Sequence, residues 1–264
     1  MKADVYSLEG KKLKQVELPK AFEGEVNENL IKRAVLSAQS ARYQPSSPDK
    51  YAGRRTTAVY IGDRKKPQMH RTINIGKARK PRTKENRFLI SGRVASIPAV
   101  VGGPRAHPPK TEKKLDEKIN KKERRKAIIS AIAASVDPVR VRARGHIFEE
   151  GMQLPVVVED KFEQLDKTKD IRAALKNIKM WADVERARAK RKNRAGKGKK
   201  RGRPYKKAKS LLIVAGNTEN IYKAARNLEG VDIIEARNIN AELLAPGCQA
   251  GRLCVWTEGA LKGV

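Results

Sequence analysis

Aromatic residues are scarce in this chain, only 5% of 264 residues, which argues against base stacking as its main mode of binding. Cysteine is nearly missing too. Cys248 and Cys254 are the only two, and two thiols without neighbouring histidines fit neither a disulfide framework nor a zinc site. His70, His107 and His146 are scattered, a spacing that gives metal binding no support. No apolar run approaches the roughly 18 residues of a membrane span. Met1 to Lys12 places charges where a secretory signal would need its apolar stretch. The expectation is a cytoplasmic protein with no membrane partner, no metal and no cofactor. The last shortage is acid: 29 aspartates and glutamates stand against 60 lysines and arginines, a net charge of +31. A polyanionic partner is the first positive inference.

The charge is not spread evenly. Residues 43–111 and 185–209 each carry a net +13, whereas 1–42 (+2), 146–184 (−2) and 210–264 (−1) are nearly neutral, and 112–145 carries +6. This is the pattern of basic limbs on a neutral folded body. A hydrophobic content of 39% fits the same division, with part of the chain building a core and part not.

The near-neutral segments show regular periods. Ala3 to Ser7 and Lys12 to Leu18 read as strands. From Asn27, a plausible N-cap, Leu30, Ile31, Ala34, Val35, Ala38 and Ala41 recur at helical spacing up to about Arg42. A second helix is expected from near Leu115, carrying Ile119, Ala127, Ile128, Ala131, Ile132 and Val136 on one side, and ending at Asp137-Pro138. Strand and helix then alternate. Leu154 to Val158, a helix around Ile171, Ala174, Leu175 and Ile178, Ser210 to Ala215, a helix capped by Thr218, Val231 to Glu235 and Leu253 to Trp256 follow in turn. Apolar runs such as Val156 to Val158 and Leu211 to Val214, joined by helices, predict an α/β fold: a mostly parallel sheet flanked by helices. The globular domain is then discontinuous, residues 1–42 and 112–264. It is interrupted by a long extended basic loop at 43–111 and carries a basic extension at 185–209.

The loop holds eight prolines and six glycines without a sustained period, and a compact domain rarely keeps such a segment unless it is functional or disordered. Its cations are Arg54, Arg55, Arg64, Lys65, Lys66, Arg71, Lys77, Arg79, Lys80, Arg82, Lys84, Arg93, Arg105 and Lys110. Spaced along an extended backbone, they can neutralise successive phosphates and release the counterions. The second limb offers Arg186, Arg188, Lys190, Arg191, Lys192, Arg194, Lys197, Lys199, Lys200, Arg201, Arg203, Lys206 and Lys207. Repulsion among these charges, with Gly196, Gly198, Gly202 and Pro204 opposing a continued helix, predicts a segment that orders only against an anion. The three glycines do not make a dinucleotide fingerprint, because the spacing is wrong and no strand precedes them.

Strand–helix alternation also builds cofactor-binding enzymes, with ligands at the carboxyl ends of strands. Glu159 and Asp160 are the acids at such a place. With no phosphate loop or nucleophile elbow beside them, they read as a polar strand end, and no catalytic residue is assigned. Trp181 and Trp256 read as packing residues.

Two stretches carry a resemblance: Val94 to Pro109, with the sequence VASIPAVVGGPRAHPP, and Asn120 to Ala127, NKKERRKA. With the opening strand pair, the helix leading straight into a basic insertion, and Leu211 to Thr218 (LLIVAGNT), the chain resembles the family of the universal fourth protein of the large ribosomal subunit, in its archaeal form. The resemblance implies a non-catalytic protein that binds large-subunit ribosomal RNA, contacts neighbouring large-subunit proteins and supports subunit assembly. It further implies that the internal loop reaches the wall of the exit tunnel, and so the nascent polypeptide, and that the protein is not a homo-oligomer. Contacts would go mainly to phosphate and sugar, with RNA shape giving specificity. A general nucleic-acid architectural protein and a Rossmann-like enzyme with basic appendages are the competing classes.

Overall fold

A computed structural model of the chain describes residues 1–68, 70–84, 89 and 91–263; Met69, residues 85–88 and Ile90 of the expected loop lie outside the described residues. Two units divide the chain, residues 1–42 with 116–264, and residues 43–115. The first unit runs β1 (Lys2–Tyr6), β2 (Lys12–Glu17), α1 (Glu28–Ser40), α2 (Lys121–Ala134), α3 (Pro138–Ala143), β3 (Val156–Val158), α4 (Thr168–Asn177), α5 (Trp181–Ala189), β4 (Lys192–Asn193), β5 (Tyr205–Lys206), β6 (Leu212–Ala215), α6 (Glu219–Ala225), β7 (Asp232–Glu235), α7 (Ala241–Leu244), β8 (Cys254–Thr257) and α8 (Glu258–Leu261). Six strands form one sheet in the order β2-β1-β3-β8-β6-β7, parallel throughout except for the β1–β2 pair. The fold is α/β, as the apolar runs indicated.

Side chains alternate across a strand, so a sheet covered on both faces divides each run between two cores. Val157, Leu212, Val214, Cys254 and Trp256 join residues of α1, α2 and α7 in one cluster. Their neighbours Val156, Val158, Ile213, Ala215 and Val255 join residues of α4, α5 and α6 in the other. Trp256 is fully buried and meets Phe22 edge to face at 5.1 Å between ring centroids. Both clusters consist of first-unit residues alone.

Helix α1 starts as its sequence indicates, with the Asn27 side chain accepting from the Leu30 amide at 3.1 Å. Helix α2 does not. It begins at Lys121, six residues past the expected start, because both backbone groups of Glu117 are already engaged by α1. Its carbonyl accepts from Ser37 Oγ at 2.6 Å, and its amide donates to Ser40 Oγ at 2.9 Å. α2 ends at Ala134 with Ser135 as its C-cap, so Val136 lies beyond it; Asp137-Pro138 instead opens α3, with Asp137 capping the Val139 amide at 2.9 Å. Thr218 holds the N-cap position of α6, its carbonyl accepting from the Tyr222 amide at 2.9 Å, but its side chain makes no cap bond: Asn217 accepts from the Glu219 amide, and the Thr218 hydroxyl donates to Glu235.

The Ser37, Ser40 and Glu117 bonds close the first unit at the point where the chain leaves after Arg42 and returns at Asp116. Loop closure entropy grows slowly with length, and the first unit's cores contain no described residue of 43–115. Excising residues 45–108 and joining the flanks with a short Gly/Ser linker is therefore expected to leave a single cooperative thermal transition. A broad, non-cooperative melt of the excised protein would show that the insertion is part of the core.

Candidate nucleic-acid interface

The second unit is organised by backbone hydrogen bonds rather than apolar burial. Among its described residues there is no helix and no strand, only turns and the antiparallel bridges Val59–Arg82 and Arg82–Val94. Buried Thr72 exchanges bonds with Ile61, its amide and hydroxyl donating to the Ile61 carbonyl while its hydroxyl accepts from the Ile61 amide, all at 3.0 Å. Ile73 is the one apolar residue among its described residues that is buried. The insertion is thus not a plain two-sided hairpin: the chain passes the bridge region three times, at residues 59, 82 and 94.

The Gly-Gly-Pro element has a local reason. A Cβ on Gly103 would fall 2.0 Å from the Ile97 carbonyl oxygen, and one on Gly53, which sits at φ +76°, 2.3 Å from the Pro104 nitrogen. Backbone therefore packs on backbone there, as only glycine allows. The juxtaposition brings Lys50, Arg54, Arg105 and Lys110 around a cavity of about 510 Å³. Lys50 was not among the cations singled out from sequence; its only signal is proximity to Gly53 in this packing.

Of the loop cations, Arg54, Arg55, Arg64, Lys65, Lys66, Lys77, Arg79, Lys80, Arg93, Arg105 and Lys110 are exposed, and Arg71, Arg82 and Lys84 are half-buried. The half-buried ones hold the loop together. Arg82 donates to the Gly92 and Ala78 carbonyls at 2.8 and 3.0 Å, Arg71 to the Arg64 carbonyl at 3.1 Å, and Lys84 to the His70 carbonyl at 3.1 Å. Arg55 is paired with Asp49. The other exposed side chains are directed to solvent with no partner among the described residues, the state in which a cation can meet a phosphate. Together with Lys77, the three half-buried cations line a second cavity of about 510 Å³, which has no acid in its described lining.

The 185–209 segment departs from its expectation of having no fold of its own. Helix α5 continues to Ala189, β4 and β5 pair as a short hairpin (Lys192 opposite Lys206), and Lys197–Arg201 forms a 3₁₀ turn closed by Gly202 at φ +74°. The positive charges themselves supply the order. Arg194, half-buried, donates to the Arg203 and Tyr205 carbonyls at 3.1 and 3.2 Å. Arg191 lies over the Tyr205 ring, 4.2 Å from its centroid, and pairs with Glu229 at 3.0 Å; Lys207 reaches the same carboxylate at 3.5 Å. Arg188, Lys190, Lys192, Lys197, Lys199, Lys200, Arg201 and Arg203 stay exposed, with no ion pair among the described residues.

Arg186 belongs elsewhere. It turns inward onto Asp183 at 2.7 Å, and Asp183 also accepts from Ser210 Oγ at 2.8 Å, the Ile147 amide at 3.0 Å and His146 Nδ1 at 3.0 Å. Burial alone would raise the Asp183 carboxyl, but the bonds from His146 and Arg186 outweigh it and hold the group well below the ordinary carboxylate range. Burial lowers the His146 imidazole against the pull of Asp183. Its Nε2 is buried without a partner among the described residues, which favours the neutral ring donating through Nδ1. The sequence signal for this cluster was the i,i+3 spacing of Asp183 and Arg186, masked by the basic run that follows.

The enzyme-like acids are structural. Glu159 accepts from the Leu8 amide at 3.0 Å and Asp160 from the Gly259 amide at 2.6 Å. Trp181 is half-buried beneath Arg172, its indole donating to Glu185. Burial raises the Cys254 thiol to about 12, so it is inert at neutral pH. Among the described residues, no three His, Cys, Asp or Glu side chains gather as metal ligands, and no helix is long and apolar enough to cross a membrane.

The family model described as the ribosomal protein L4/L1 family matches residues 16–264. The large ribosomal subunit protein uL4 of Methanocaldococcus jannaschii is 50% identical over 262 residues, covering 99% of this chain and 97% of that protein. Its counterpart from Methanoculleus marisnigri is 49% identical with 99% and 98% covered, and that of Archaeoglobus fulgidus 46% with 99% and 97%.

Proposed function

The chain belongs to the ribosomal protein L4/L1 family, and we infer that it works as a structural, non-catalytic constituent of the large ribosomal subunit, held there by its RNA. The observation that carries this reading is the set of exposed, unpaired cations. Two segments hold 26 of the 31 excess charges, and most of their described cations have no ion pair among the described residues. A protein that folds with such groups uncompensated leaves their neutralisation to a polyanion.

In this reading the residue 43–111 insertion threads the ribosomal RNA. Arg54, Arg64, Lys65, Lys66, Lys77, Arg79, Lys80, Arg93, Arg105 and Lys110 meet phosphates, while Arg71, Arg82 and Lys84 shape the loop that presents them. The 185–209 hairpin offers a second set of phosphate contacts. Neighbouring large-subunit proteins adjoin the globular unit, and part of the insertion borders the exit tunnel and the nascent polypeptide. The protein enters the subunit as a single copy, not as a homo-oligomer, and its place is the cytoplasmic ribosome. Charge neutralisation lets RNA helices approach closely, and a loop organised by its own backbone bonds fixes their relation as the subunit assembles.

The deciding experiment is sedimentation of large subunits carrying the tagged protein through a high-salt cushion. The protein is expected to stay with the subunit at salt concentrations that strip loosely bound basic proteins. Release at moderate salt, with equal rebinding to unrelated duplex RNA, would instead mark a general nucleic-acid architectural protein.

A further inference from the structure

We propose that one face of α2, formed by Lys121, Lys122, Arg125 and Lys126, is a third contact for ribosomal RNA phosphates, carried by the folded unit and distinct in sequence from both basic limbs. The proposal rests on the ribosomal reading above. At about 100° per residue these four positions fall within an arc of about 140° over the first turns of α2, with the buried Ala127, Ala131 and Ala134 on the opposite side; further along, the same arc is buried at Ile132 and Ala133, so the exposed face is confined to the N-terminal half of the helix. All four are exposed, and among the described residues none forms an ion pair.

Their arrangement works against the helix. Lys121 with Arg125, and Lys122 with Lys126, are like charges at i,i+4, which destabilise a helix. Lys121 and Lys122 also sit in its first turn, where the helix dipole disfavours cations. The acid that could relieve them, Glu123, is held away by Arg33 of α1 at 3.2 Å. Neighbouring basic residues are treated differently: Arg140 on α3 pairs with Glu28 at 2.7 Å and with Asp137 at 3.1 Å, and Arg142 pairs with Glu150 at 3.3 Å. What sets the face apart is density: four exposed cations on one short arc of helix, with no ion pair among the described residues. Its two i,i+4 rows suit a line of phosphate charges better than a single carboxylate.

The test is nitrocellulose-filter binding of the full chain to a large-subunit ribosomal RNA fragment across a salt series. The wild type is compared with the fourfold variant Lys121→Ala, Lys122→Ala, Arg125→Ala and Lys126→Ala. Four lost phosphate contacts should flatten the log–log salt dependence by about 3. The thermal transition should hold or rise, because alanine favours helix and the like-charge pairs are gone. An unchanged slope overturns the proposal, and it does so equally if the variant is poorly retained on subunits, an outcome that would give the face to an acidic protein. A wild type with no salt-dependent RNA binding at all would bring down the ribosomal reading together with this face, whereas a flattened variant slope on a steep wild-type background supports both.

Discussion

Replacing Asp183 by alanine is expected to destabilise the folded unit by about 3–5 kcal/mol, the usual result of removing one partner of a buried ion pair. The carboxylate is fully withdrawn from solvent and receives bonds from His146, Ile147, Arg186 and Ser210. Without it, the Arg186 side chain, 11% exposed, is a charge left with the Lys209 carbonyl at 2.8 Å and the neutral His146 ring at 3.5 Å, and no carboxylate among the described residues. For a unit of this size the melting temperature should fall by roughly 6–20 °C. The same cluster sets a pH dependence. His146 is lowered in the folded state, so as pH falls below about 6.5 the unfolded chain takes up a proton that the native ring does not. Asp183 is also lowered, so below about pH 4 the unfolded carboxylate is protonated first. In both windows the unfolded state binds more protons, and stability declines as pH falls. Urea titrations between pH 4 and 8 should show this decline in the wild type and a flatter profile in His146→Gln. An Asp183→Ala protein that melts with the wild type would remove the cluster from the account of stability.

Alanine at Lys190, Lys192, Lys199, Lys200, Arg201 and Arg203 is expected to flatten the salt dependence of ribosomal RNA binding by about 4–5 log units per log unit of salt if each meets one phosphate. These six are exposed cations with no ion pair among the described residues, whereas Arg191 and Arg194 are left in place because they build the hairpin. The thermal transition should move little, since solvated like charges contribute little to folding. Alanine at Lys161, Lys167 and Lys169 is the control. That stretch is net negative, and Lys161 lies 3.9 Å from Glu159. Equal flattening by the control, or none from the six, would take RNA contact away from the 185–209 segment.

The residues themselves were enough for the sheet and its covering helices, because a parallel strand buried on both faces reads as an apolar run, and the β-branched Val156 to Val158, preceded by Pro155, favours strand over helix. Asn27 as the cap of α1 was equally legible, since a cap needs only the residues of the next turn. Composition also placed the positive charge along the chain. What it left open were the interactions between residues far apart in sequence. Whether α2 starts at Leu115 or Lys121 depends on two serines some 80 positions upstream. Whether Arg186 faces an RNA or an aspartate depends on where α5 lies against His146 and Ser210, and whether Arg82 meets a phosphate or a carbonyl on a loop that passes itself three times. A lysine and an arginine in a basic run look alike in one dimension. Tertiary structure distinguishes them, because an arginine's five fixed donors can be satisfied by several backbone carbonyls at once, and only folding brings those carbonyls together.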